Sequence, residues 1–99
     1  MNQEIESIYQ IIGQSIVNSV PRNWTRAWID AEITDSMDIL QGTYIADGDS
    51  VAESFEVQDD AIFAFERLQL LMKNPPKPNW KKAHFELAPD GKFDLQFEY

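Results

Sequence analysis

The sequence predicts one α+β domain spanning residues 1–99. Its elements follow the order α-β-β-β-α-β-β, with an antiparallel sheet and two helices packed on one face. Three observations predict it. Apolar residues recur at helical steps in two segments, β-branched and aromatic residues fill the stretches between and after them, and Asp-Gly pairs stand at two of the chain reversals. A hydrophobic content of 43% with 12% aromatic residues supplies a core, so the net charge of -9 does not signal disorder. A chain of 99 residues is long enough for one core and too short for a second domain.

The first helix is read from Ile5, Ile8, Ile12, Ile16 and Val20, with Tyr9 and Val17 widening the apolar stripe. Pro21 ends it, because the residue before a proline is pushed out of the helical region and proline has no backbone donor. Three strands follow over Trp24–Thr34, Met37–Ala46 and Val51–Val57, divided by Asp35-Ser36 and by Asp47-Gly48-Asp49-Ser50. Gly48 supplies the positive φ that a tight hairpin requires. Gln58-Asp59-Asp60 provides capping and dipole-favoured acids ahead of Ala61, Ile62, Phe65, Leu68 and Met72, which predicts a second helix over about Asp59 to Lys73. Three prolines between Asn74 and Asn79 make a stiff, extended connector. The chain ends in a hairpin, Lys81–Leu87 and Phe93–Tyr99, alternating about Pro89-Asp90-Gly91.

Charge is distributed unevenly. From Ala27 to Glu66 there are eleven carboxylates and no Lys, Arg or His, whereas six of the eight basic residues lie between Arg67 and Lys92. Such a field attracts basic partners and repels nucleic acid, phosphate-rich substrates and anionic membranes. The modest cluster Lys73, Lys77, Lys81 and Lys82 is a poor footprint for phosphate, and Trp80 beside it reads as core or edge cover. The same negative surface also serves solubility alone. No cysteine is present, so disulfides, thiolate catalysis and Cys-based zinc sites are excluded. The N-terminus lacks a basic region followed by an apolar run, and no stretch approaches the length of a membrane span. A soluble, unprocessed, cytoplasmic protein is expected.

Catalytic constellations are sparse. Asp30 and Glu32 lie two apart on one strand and share a face, a geometry compatible with a divalent cation or a glycosidase-like pair, and equally with a solvated strand surface. Asp47-Gly48-Asp49 starts like a calcium loop, but the pattern breaks at Val51 and it reads as a turn. His84 is the only histidine; it shares the outward face of its strand with Lys82 and Glu86, where a surface pairing is expected. The four glycines form no phosphate-cradling loop. No catalytic residue, metal ligand or cofactor is assigned.

On the first strand, Thr25, Ala27, Ile29, Ala31 and Ile33 are expected beneath the helices, and Trp24, Arg26, Trp28, Asp30 and Glu32 on the opposite side. A large aromatic ringed by carboxylates is a hot-spot composition, the ring supplying burial and the charges steering and register. The alternative is that Trp28 packs beneath a neighbouring loop. The candidate partner-binding set is therefore Trp28, Asp30 and Glu32, extended by Asp35, Asp38, Asp47, Asp49, Glu53 and Glu56 across the strand connections and third strand.

The opening Met1-Asn2-Gln3-Glu4-Ile5 with Ile8-Tyr9, the segment Val20-Pro21-Arg22-Asn23-Trp24, and the closing Phe85-Glu86-Leu87-Ala88-Pro89-Asp90-Gly91-Lys92-Phe93 with Phe97-Glu98-Tyr99 resemble the YezG-like immunity (antitoxin) proteins of polymorphic toxin systems. The resemblance covers both ends; the middle matches as a pattern of acidic strands and a second helix. It implies a small cytoplasmic antitoxin that binds and neutralises the C-terminal toxin domain of a cognate secreted toxin, a nuclease in the characterised examples; the charge pattern adds the expectation of a basic partner in a one-to-one complex, without nucleic acid or membrane. It carries no interface residues with it. Two other readings stand beside it: a metal-dependent hydrolase using Asp30 and Glu32, and a generic acidic interaction scaffold.

Overall fold

The computed structural model describes residues 3–21, 23–48, 51–73 and 78–99. Helix α1 spans Gln3–Ser19, followed by strands β1 (Trp24–Ile33), β2 (Asp38–Ala46) and β3 (Ala52–Phe55), helix α2 (Asp59–Leu71), and strands β4 (Lys82–Leu87) and β5 (Phe93–Glu98). The order is the expected one, with strand ends either as expected or trimmed by one or two residues. The five strands form one antiparallel sheet in the order β3-β2-β1-β4-β5.

The apolar stripe of α1 becomes its buried face: Ile8, Ile12 and Ile16 are buried, and Val20 closes the stripe before Pro21. From α2 come Ala61, Ala64, Phe65 and Leu68. Both helices meet one surface of the central strands, Ala27, Ile29, Ala31 and Ile33 of β1 and Ala83, Phe85 and Leu87 of β4. Burying each large branched or aromatic side chain contributes about 1.5–3 kcal/mol, so this layer holds the domain together. The helices run antiparallel. Arg67 meets Glu4 in a two-pronged ion pair at one end (2.6 and 3.2 Å), and the Ser15 hydroxyl donates to Asp60 at the other (2.9 Å).

Local chemistry explains the joints. Gly48 and Gly91 take φ of 82° and 92° in the two Asp-Gly turns, and Asn23 takes 62° before β1, a conformation asparagine tolerates. Gln58 stands at the N-cap of α2 without a side-chain cap bond; Asp60 Oδ1 instead accepts from the Ala61 N–H and the Ser15 hydroxyl. The Gln69 amide donates to the carbonyls of Ile33 (3.1 Å) and Trp80 (2.7 Å), tying the end of α2 to β1 and to the segment entering β4. Trp80 is fully buried against Phe97, so it belongs to the core. The predicted stiff connector lies largely outside the described residues, since 74–77 are not among them.

One expectation about sheet faces fails at its first residue. Trp24 is partly buried against the core, whereas Thr25 is exposed. Between Trp24 and Arg26 the β1–β2 register shifts: Trp24 lies opposite Ala46, and Arg26 opposite Ile45. The extra residue is a β-bulge at Thr25, which reverses the alternation there.

Candidate binding face

From Ala27 onward strict alternation holds, and every second residue of β1 and β4 emerges on the side away from the helices. The register sets these residues in rows across the strands. One row reads Thr43, Trp28, Glu86 and Asp94, the next Gln41, Asp30, His84 and Gln96, and the third Ile39, Glu32, Lys82 and Glu98. No described helix packs over these rows. The last two border an open depression of about 500 Å³.

The rows are electrostatically wired. Arg26 makes a bidentate pair with Glu86 (Nε–Oε2 2.8 Å, guanidinium nitrogen–Oε1 3.0 Å) and lies 5.1 Å from the centre of the Trp28 ring. On the other side of Trp28, at 6.2 Å between ring centres, stands His84. His84 Nδ1 approaches Asp30 Oδ1 at 2.6 Å, and Nε2 approaches Glu86 Oε1 at 3.3 Å. Partial burial opposes protonation of His84. Hydrogen bonds to Asp30 and Glu86, with their charges, outweigh that effect and hold the imidazole pKa above its ordinary value. The doubly protonated ring donates to both carboxylates at once. Hydrogen bonding to Arg26 lowers the Glu86 pKa, against a smaller effect of burial and with a further contribution from His84. The expected surface pairing of His84 is thus present, with Asp30 as well as Glu86.

Of the nine candidate residues, the structure brings Trp28, Asp30 and Glu32 together on this open face. Arg26 and His84, which flank the Trp28 ring, belong to that same face. Asp35 is exposed in the β1–β2 turn, Asp47 in the β2–β3 turn, and Glu56 just after β3. Asp49 lies outside the described residues. Asp38 and Glu53 belong to the opposite side of the sheet. Asp38 pairs with inward-facing Ile33 and hydrogen-bonds Glu66 of α2, which raises the Glu66 pKa; Glu53 pairs with Tyr44 and accepts its hydroxyl at 2.8 Å. The acidic run is therefore divided between two surfaces, because alternation along each strand sends neighbouring acids to opposite sides.

The residues that complete the face, Arg26, Lys82, His84, Glu86, Asp94 and Glu98, all lie outside the acidic run. Alternation in the C-terminal hairpin places Lys82, His84 and Glu86 on one side; what unites them with Trp28 is the pairing of β4 with β1. Five carboxylates and the two permanent cations Arg26 and Lys82 share the surface, which is negative but patterned. Asp30 and Glu32 point the same way, yet Asp30 is engaged by His84, and no group of three or more His, Asp or Glu side chains with metal-binding geometry occurs among the described residues. Among the described residues no helix is long and apolar enough to cross a membrane. No protein-family model matches the chain, and no curated protein matches it.

Proposed function

We propose that this chain is an immunity protein, a non-enzymatic cytoplasmic antitoxin. It binds the basic nuclease domain of a cognate secreted polymorphic toxin in a one-to-one complex and neutralises it. The observation that carries the reading is the open sheet face, where half-buried Trp28 sits among Asp30, Glu32 and Glu86 while both helices occupy the other side. A rigid sheet presenting an aromatic centre within a negative surround suits docking on a positive surface: the ring supplies desolvated contact and the carboxylates accelerate encounter. The resemblance of the chain ends to YezG-like immunity proteins supports the same role.

In this reading Arg26 and His84 have a preparatory task. Gripping Trp28 from two sides and bridging to Glu86 and Asp30, they hold the aromatic and its carboxylates in one arrangement before the partner arrives, which lowers the ordering cost of binding. Co-expression with candidate basic toxin domains should rescue growth with the cognate one and yield a co-purifying complex. Replacing Asp30→Lys together with Glu32→Lys should slow association at least about tenfold at low salt and flatten its salt dependence. Unchanged association kinetics would remove the open face from the interface, and failure of rescue by the unaltered chain would remove the role itself.

A further inference from the structure

The two edges of the sheet are built differently. The edge formed by β3 is four residues long, whereas β5 pairs with β4 over six consecutive positions without a register shift. Strand β5 contains no proline and no lysine, the residues that commonly blunt an exposed edge. Its free side can be assigned from the hydrogen bonds on its bound side. The Lys92 carbonyl accepts from Ala88 N–H (2.8 Å) and the Glu98 carbonyl from Lys81 N–H (2.9 Å), so the even-numbered residues turn their backbone groups toward β4. The N–H and C=O groups of Phe93, Leu95 and Phe97 consequently point away from the sheet. On the helix side of this edge, Phe93 stacks on Phe85 and touches Tyr9 yet remains 47% exposed.

We propose that β5 is a self-association edge at which a second copy of this chain pairs antiparallel, continuing the sheet through a two-fold axis beside Leu95. The charges select this occupant and this register. With Leu95 opposite its own copy, Phe93 meets Phe97, Asp94 meets Gln96, and Lys92 meets Glu98 of the second copy, each contact occurring twice. Lys92 and Glu98 are exposed, and neither has an ion-pair partner among the described residues. Centring the axis on Gln96 instead sets Asp94 against Glu98 twice, and centring it on Asp94 opposes that carboxylate to itself; directly opposed like charges destabilise a strand pair. Only even-numbered shifts keep the helices of both copies on one side, so a one-residue slip provides no escape. The axis lies perpendicular to the sheet and leaves both open faces on the same side, neither covered by the contact. The inference is independent of the toxin-binding role.

Sedimentation velocity across the micromolar range tests it with the whole chain. The unaltered protein should pass from monomer to dimer. Lys92→Glu and Glu98→Lys, each placing like charges opposite one another at two symmetric positions, should each weaken dimerisation about tenfold, and the charge-swapped double variant should recover to within about threefold of the original. These exposed positions lie off the core, and circular dichroism of the monomers verifies that they fold. A protein that stays monomeric throughout, a dimer indifferent to single reversals, or a double variant as weak as the singles would each overturn the proposal.

Discussion

Strands β1 and β4 carry two surfaces made from alternate residues of the same chain segments, and the contrast shows how the domain confines its close packing to one of them. On the covered surface Ala27, Ile29, Ala31, Ile33, Ala83, Phe85 and Leu87 are all buried, and the small alanines let α1 and α2 approach the sheet while Phe85 fills the space between. On the open surface the same backbone presents Arg26, Trp28, Asp30, Lys82, His84 and Glu86, whose cross-strand pairs are solvated. Solvated ion pairs contribute little to folding, so folding constrains this surface only weakly. The covered surface has no such freedom, because interiors pack at crystal-like density and each methylene is felt.

That asymmetry is testable by matched substitutions. The largest effect should come from Phe85→Ala, which empties a fully buried aromatic site and should lower unfolding free energy by about 3–5 kcal/mol in urea titration. The corresponding truncation on the open surface, Gln41→Ala, should stay within about 0.5 kcal/mol. Equal losses from the two would break the comparison.

A smaller loss is expected at Gly42, where the covered surface extends onto β2. A Cβ there would stand 2.6 Å from the Phe55 ring, so Gly42→Ala must displace that ring and should lower stability by about 1–3 kcal/mol, visible as a fall in denaturation midpoint. The close approach of Phe55 to a bare backbone also explains why this glycine lies within a strand.

The open surface should reveal itself through pH. Because Asp30 and Glu86 hold the folded pKa of His84 above 6.5, the stabilisation from its protonated ring is complete below 6.5 and lost as pH rises through the folded value. The stability difference between the unaltered chain and His84→Gln should therefore shrink between about pH 5 and about pH 8. Its size should remain below about 1 kcal/mol, since solvent screens the partly exposed ring. Arg26 competes for Glu86, so Asp30→Asn should flatten this dependence more than Glu86→Gln does.

The smallest effect concerns the rim of the covered side. Hydrogen bonding to Asp38 raises the pKa of Glu66, burial and the Asp38 charge adding to it, so ionisation of Glu66 is disfavoured in the folded chain. The favourable contribution of the protonated form is present at low pH and disappears as pH rises through the folded pKa. Glu66→Gln should consequently raise stability by about 0.5 kcal/mol at neutral pH and converge with the unaltered chain in acid, as thermal melts at several pH values would show.

Element order, the two helices, the C-terminal hairpin and most inward-facing strand positions were legible in the sequence, because each depends on periodicity within a few residues. The isoleucine stripe of α1, the alternation from Ala27 to Ile33 and the Asp-Gly turns are signals of that kind. The candidate site was legible only in its β1 portion. Trp28, Asp30 and Glu32 follow from alternation along one strand, but the partners of that trio do not.

His84 lies 54 residues from Asp30, and Glu86 lies 60 residues from Arg26. Those meetings exist because β4 inserts beside β1 instead of following β3 at the sheet edge. The sidedness of Asp38 and Glu53, and the reversal at the Thr25 bulge, were likewise set by register against β1 and β2. The sequence by itself determined which residues can be buried and where the chain turns, since backbone sterics and side-chain hydrophobicity act locally. Tertiary structure alone decided which charges face one another: strand order is chosen by how the two helices and the central strands close a common core, and surface residues contribute almost nothing to that choice.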